Sequence, residues 1–139
     1  MQGGQARLTR DEAVHVRRAL ACLQLDDHAT FEDLAQRVAA KAERPITIQA
    51  KGDETWDTVT AVLGHLSGGI TILVRSTDSA VYQLHGVLHE FGHILLGHDS
   101  CFAYGEISPR DDRERMAEGA AFELARLIYL PREDLRVFG

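Results

Sequence analysis

The distribution of histidine is the feature that most constrains how this chain can fold. Four of its seven histidines, at positions 85, 89, 93 and 98, fall within 14 residues. The segment that carries the first three, residues 80–96, places apolar residues with the 3.6-residue period of a helix, and Gly97 follows it. The sequence therefore predicts one long helix on which histidines recur every four residues.

The pentapeptide at residues 89–93, His-Glu-Phe-Gly-His, fits the pattern H-E-x-x-H. Two imidazoles one helical turn apart can bind one zinc ion, and the glutamate next to the first can act as a general base. We therefore predict Zn²⁺ as cofactor, His89 and His93 as its ligands, and Glu90 as the catalytic residue. Glu90 would take a proton from the attacking water and return it to the leaving amine. The alternative is a packed helix with exposed or core histidines.

A catalytic zinc commonly has three protein ligands, so a third donor must come from another segment. The predicted last helix offers Glu118, which precedes three small residues at 119–121 that allow a close approach to the histidine helix. We predict Glu118 as this ligand. Glu114 and Glu123 on the same helix are interpreted as solvated charges, an interpretation that is equally open for Glu118 taken alone.

The remaining histidines and tyrosines are each open to more than one interpretation. His85 lies one turn before His89 and is interpreted as a residue at the rim of the site or behind a ligand, as a surface residue, or as a ligand. His98 is interpreted as a charge at the end of the helix, where it meets unpaired carbonyls. The group that stabilises the oxyanion is left open between Tyr104 and His85. Tyr82 and Tyr129 are equally compatible with the core.

The rest of the chain predicts an α+β fold in the order α-α-β-β-β-α-α. Thr9 with Glu12, and Thr30 with Asp33, are typical of helix starts. Strand patterns occupy residues 46–48, 58–63 and 70–74, with turn residues at 51–53 and 67–69, which favours a small three-stranded antiparallel or mixed sheet arranged as a meander. Residues 1–7 are predicted as a flexible N-terminus and residues 8–139 as one domain.

Composition excludes several classes of function. Fifteen basic and 21 acidic residues give a net charge of −6, which disfavours direct binding to nucleic acid. No apolar run approaches the ~20 residues that cross a bilayer, and the first residues lack an export signal, so we expect a cytoplasmic protein without membrane contact. Cys22 and Cys101 lack C-x-x-C spacing and predict neither a disulfide framework nor a thiolate zinc site.

Residues 89–98, followed by Glu118-x-x-Ala121-x-x-Leu124-Ala125 and by Pro131, resemble the ImmA/IrrE metallopeptidase family. The resemblance covers about residues 30–131. It implies a zincin-like minimal metallopeptidase core in which His89, His93 and Glu118 hold zinc and Glu90 is the base. It also implies a protein substrate, and a helix-turn-helix transcriptional repressor is the expected one, because members of the family are associated with cleaving such repressors.

Two functions of different classes remain open from the sequence. The first is a zinc-dependent endopeptidase. The second is a non-catalytic zinc-containing binding protein that sequesters a partner, as an antirepressor or a toxin–antitoxin component does. Glu90 favours the peptidase, because a structural zinc requires no carboxylate beside its first histidine.

Overall fold

The structure is a computed structural model that describes residues 8–51, 61–66, 68–97 and 112–128. Within these ranges the chain forms four helices and three strands: α1 (Arg10–Ala21), α2 (Phe31–Ala42), β1 (Ile46–Lys51), β2 (Ala61–Leu66), β3 (Gly69–Arg75), α3 (Ala80–Leu96) and α4 (Asp112–Leu127). The predicted α+β class and the order of the elements are confirmed. The predicted N-terminal tail lies outside the described residues.

The sheet differs from the predicted meander. Its strand order is β1-β3-β2, with β1 parallel to β3 and β2 antiparallel to it, so the sheet is mixed and a fully antiparallel arrangement is wrong. In β3, Ile70, Ile72 and Val74 alternate with less buried residues and are almost fully buried. The most apolar strand thus takes the centre, where both of its edges are paired. Gly68, with φ +82°, lies in the predicted turn between β2 and β3.

The helix starts follow the sequence closely. Thr9 and Glu12 form a capping box at α1, and Thr30 and Asp33 form one at α2, as predicted. The side chain of Ser79 accepts a hydrogen bond from the backbone of the first turn of α3. These side chains satisfy backbone N–H groups that have no partner within the helix, and they fix where each helix begins.

The helix with the histidine motif is the central helix of the fold. Ten of the 17 residues of α3 are buried, and Phe91 is fully buried with its ring stacked on Phe31 at a centroid distance of 5.8 Å. The core around it draws on every helix and on β3, through Val16, Leu20, Leu34, Val38, Ile72, Val87, Leu88, Ala120, Ala121 and Leu124. Packing on so many sides holds the backbone of α3 in one position.

Helices α3 and α4 come unusually close at Gly92. A Cβ atom on Gly92 would lie 2.8 Å from the carbonyl oxygen of Ala117 and 3.0 Å from Cβ of Ala120. The predicted close approach therefore exists, with alanines of α4 facing a glycine inside the motif. Gly119 faces the side chain of Leu8 instead of α3.

Helix α4 is also tied to α1. The guanidinium of Arg115 donates a hydrogen bond of 2.6 Å to Glu12, whose other carboxylate oxygen accepts from the backbone of Thr9. Among the described residues, no helix is both long enough and apolar enough to cross a bilayer.

Candidate metal centre

Contacts between side chains show that α3 and α4 run antiparallel at the site. Going forward along α4, Glu114 meets His93 and His89, Glu118 meets His89 and His85, and Phe122 meets His85. The three residues of α4, Glu114, Glu118 and Phe122, are spaced four apart. The histidines that they contact in turn, first His93, then His89 and then His85, are also spaced four apart but run backwards along α3. Both sets therefore form one stripe on their helix, and the two stripes face each other.

Glu114 lies between the two histidines of the motif. One of its carboxylate oxygens is 3.0 Å from Nε2 of His89, and the other is 2.8 Å from Nε2 of His93. One nitrogen from each ring and one carboxylate oxygen lie within 4.8 Å of one another, so these residues can hold a metal ion. The structure thus brings His89 and His93 together as predicted.

The donor set fits a small divalent cation. Two imidazoles and one glutamate carboxylate are a known ligand set for catalytic zinc. Tetrahedral zinc with ligand distances near 2.0–2.1 Å separates neighbouring donors by about 3.3 Å, and the three donor atoms of this group lie within 4.8 Å of one another. The side chain of His93 is 2% exposed, whereas those of His89 and Glu114 are 19% and 22% exposed. One side of the group is therefore closed by protein and the other is open to solvent.

Glu118 contacts the opposite side of the His89 ring. Its Oε1 atom is 2.7 Å from Nδ1 of His89, and its Oε2 atom is 2.8 Å from Nε2 of His85. Because Glu114 contacts Nε2 of both His89 and His93, whereas Glu118 contacts only Nδ1 of His89, the geometry favours Glu114 over Glu118 as the third donor. The assignment of Glu118 as a ligand stays a prediction.

Glu114 is the residue that sequence reasoning passed over as a solvated charge. A signal was available, since Glu114 and Glu118 have the same spacing of four as His89 and His93 and must share one face of their helix. Glu123, given the same interpretation, does behave as a solvated charge: it is 44% exposed and pairs with Arg126 at 3.3 Å.

Glu90 is buried in α3, with 8% of its surface exposed. Its charge is one of the influences that raise the pKa of His89, so the carboxylate lies within electrostatic reach of that ring. The assignment of Glu90 as the catalytic base stays a prediction.

The other predicted side chains divide into those near the site and those outside the described residues. His85 is 33% exposed, binds Glu118, and has its ring 5.2 Å from that of Phe122, which favours the interpretation of a residue behind the ligands. Tyr82 is 62% exposed, so the alternative that it belongs to the core is excluded. His98, Tyr104 and Tyr129 lie outside the described residues.

The charges of the site are strongly coupled. Burial lowers the pKa of His89, but its hydrogen bonds to Glu114 and Glu118 and the nearby charge of Glu90 outweigh burial and raise this pKa to about 10. Burial raises the pKa of Glu114, and its bonds from His89 and His93 reverse that effect and hold the pKa at about 2. Bonds from His85 and His89 likewise hold the pKa of Glu118 at about 2.

These shifts predict how the stability of the metal-free protein depends on pH. Because the pKa of His89 rises from 6.5 to about 10 on folding, its contribution is complete below pH 6.5 and is lost as the pH rises through 10. The pKa values of Glu114 and Glu118 fall from 4.5 to about 2, so their contributions are complete above pH 4.5 and are lost as the pH falls through 2. Urea unfolding without metal should therefore give the highest stability at about pH 4.5–6.5.

The same measurement at pH 5.5 and pH 8.5 tests the role of His89. In the wild type, the free energy of unfolding should be lower at pH 8.5 than at pH 5.5. His89→Gln should make this difference smaller. Added Zn²⁺ should stabilise the protein more at pH 8.5, because the metal must displace a proton from the imidazole. Equal stability of the metal-free wild type at both values would contradict the charge coupling of His89.

Comparison of the chain with protein-family models, with curated proteins and with solved structures finds no match.

Proposed function

We propose that this chain is a zinc-dependent endopeptidase with a zincin-like core. The observation that carries the proposal is the convergence of His89, His93 and Glu114 on one point beside a buried Glu90. A metal site that served only to stabilise the fold would need neither the open side of the group nor a carboxylate held next to the first histidine.

The chemistry divides between the metal and Glu90. A bound Zn²⁺ supplies Lewis acidity, which polarises a peptide carbonyl and makes water more acidic. Glu90 accepts a proton from the attacking water as the new carbon–oxygen bond forms. It then donates this proton to the leaving amine as the carbon–nitrogen bond breaks. His89, His93 and Glu114 would hold the cation between α3 and α4.

The substrate class is proposed from the resemblance to the ImmA/IrrE family. Members of that family are associated with the cleavage of helix-turn-helix repressors, and the likeness is carried by residues 89–98 together with the segment from Glu118 to Pro131. We extend this substrate class to the present chain as a protein substrate, with direct binding to nucleic acid disfavoured by the net charge of −6.

The decisive experiment compares the wild type with Glu90→Gln on a mixture of random short peptides, with Zn²⁺ present and products read by mass spectrometry. Loss of the general base should lower cleavage by roughly 10²–10⁴-fold. Zinc content should stay the same, because Glu90 is not among the grouped ligand atoms. A helix-turn-helix repressor is the second substrate to test, chosen from the neighbouring genes where one is encoded there.

Glu123→Gln is the matched control, since it removes one carboxylate from an exposed position on α4. Equal turnover by the wild type and Glu90→Gln would refute the assignment of the base. Wild-type protein that binds zinc but cleaves neither the peptides nor the repressor would refute the peptidase proposal and favour sequestration of a partner.

A further inference from the structure

We infer that Glu118 is a positioning residue that orients His89 for metal binding, and that His85 holds Glu118 in place for this purpose. The inference rests on the metal site of the proposed function and assigns roles to two residues outside its ligand set. It also differs from the assignment of Glu118 as a ligand.

The first step concerns the two nitrogens of the His89 ring. Glu118 Oε1 lies 2.7 Å from Nδ1, and Glu114 Oε1 lies 3.0 Å from Nε2. A neutral imidazole carries one proton, and the nitrogen that holds the proton cannot donate electrons to a metal. Both nitrogens face a carboxylate here, but a bound cation would replace the proton at Nε2, and Glu118 would then keep the remaining proton on Nδ1 and leave the lone pair of Nε2 free for the metal.

The second step concerns Glu118 itself. Its side chain is 34% exposed, and a partly exposed glutamate has several rotamers available. His85 removes this freedom, because its Nε2 atom lies 2.8 Å from the second carboxylate oxygen. The carboxylate is then held at both oxygens, by histidines one turn apart on α3.

The third step concerns His85. Its ring lies against the ring of Phe122, with centroids 5.2 Å apart and planes tilted by 52°. Phe122 follows Glu118 by one turn on α4, so the two residues contact His85 from the same helix. The contacts therefore form a continuous series from Phe122 through His85 and Glu118 to His89.

The test is the affinity for Zn²⁺, measured by competition with a chromophoric chelator on the full chain. Residues that orient a ligand typically change metal affinity by about 10–100-fold, so Glu118→Ala should weaken binding within that range. Glu118→Gln should recover most of the loss, because an amide oxygen can still accept the Nδ1 proton and the amide nitrogen can donate to His85. Glu123→Ala should bind like the wild type.

A double-mutant cycle tests whether His85 acts through Glu118. His85→Ala should weaken Zn²⁺ binding several-fold in the wild type and have no effect in the Glu118→Ala background. An equal effect in both backgrounds would overturn the role of His85.

The protonation of His89 gives a readout that a general loss of stability would not change. Long-range proton–nitrogen NMR spectra of the zinc-loaded wild type should show the proton of His89 on Nδ1. Three results would each overturn the inference and leave the proposed function intact. They are a metal bound to Nδ1 of His89, an unchanged Zn²⁺ affinity in Glu118→Ala, and a loss of Zn²⁺ affinity in Glu118→Ala as large as that in Glu114→Ala. A wild type that binds no Zn²⁺ would overturn both.

Discussion

Glu114→Gln is expected to lower the affinity for Zn²⁺ by more than the roughly 100-fold that loss of an orienting residue costs. The substitution replaces an anionic oxygen donor by a neutral amide of the same shape, so the packing of α4 is retained. In the wild type, the oxygens of the Glu114 carboxylate lie 3.0 Å and 2.8 Å from the Nε2 atoms of His89 and His93. A neutral amide at that point binds a cation far more weakly than a carboxylate does. Competition with a chelator at pH 7.5 measures the difference.

The comparison of three glutamates on α4 makes this result specific. Glu123→Gln should leave affinity unchanged, and Glu118→Gln should reduce it only a little. If instead Glu118→Gln lost the metal and Glu114→Gln kept it, the ligand set implied by the ImmA/IrrE resemblance would be correct. That outcome would mean that the side chains of His89 and Glu118 rearrange when the metal binds, since the two are already in contact.

Gly92→Ala is expected to destabilise the fold and weaken metal binding together. The added Cβ would lie 2.8 Å from a backbone oxygen of Ala117 and 3.0 Å from the short side chain of Ala120, neither of which can turn away. Overpacking of this kind costs about 1–3 kcal/mol. Alanine also favours the helix over glycine by about 1 kcal/mol, so the measured loss of stability should be smaller than the steric cost alone.

Gly119→Ala is the matched control on the facing helix. Its Cβ would meet the end of the Leu8 side chain at 2.8 Å, and that side chain can move. This variant should be as stable as the wild type or more stable, with the same affinity for Zn²⁺. Urea unfolding of both variants, without and with Zn²⁺, separates the two effects. Equal stability of the two variants would contradict the close contact at Gly92.

The local parts of the fold could be predicted because their signals lie within a few residues. The capping boxes at Thr9 and Thr30 and the end of α3 at Gly97 depend on hydrogen bonds between neighbours in sequence. The pairing of the strands depends on contacts that are distant in sequence. Each strand pattern is compatible with several neighbours, so the parallel pairing of β1 with β3 could not be obtained from local pattern.

The candidate site divides in the same way. The pairing of His89 with His93 follows from one helical turn, and the sequence is sufficient for it. The choice between Glu114 and Glu118 depends on how far α4 is displaced along α3. Small residues on α4 indicate that the helices come close, but they do not define this displacement to within one turn. The contact at Gly92 requires knowledge of which alanines face it.

Because the histidines belong to the helix at the centre of the core, the proposed zinc site would link the stability of the fold to the supply of zinc. An ion that binds only the folded chain lowers the population of unfolded chains by mass action. Cellular proteases degrade mainly unfolded chains, so zinc starvation should shorten the lifetime of this protein as well as empty its site. Its abundance would then follow the supply of zinc without a dedicated regulator.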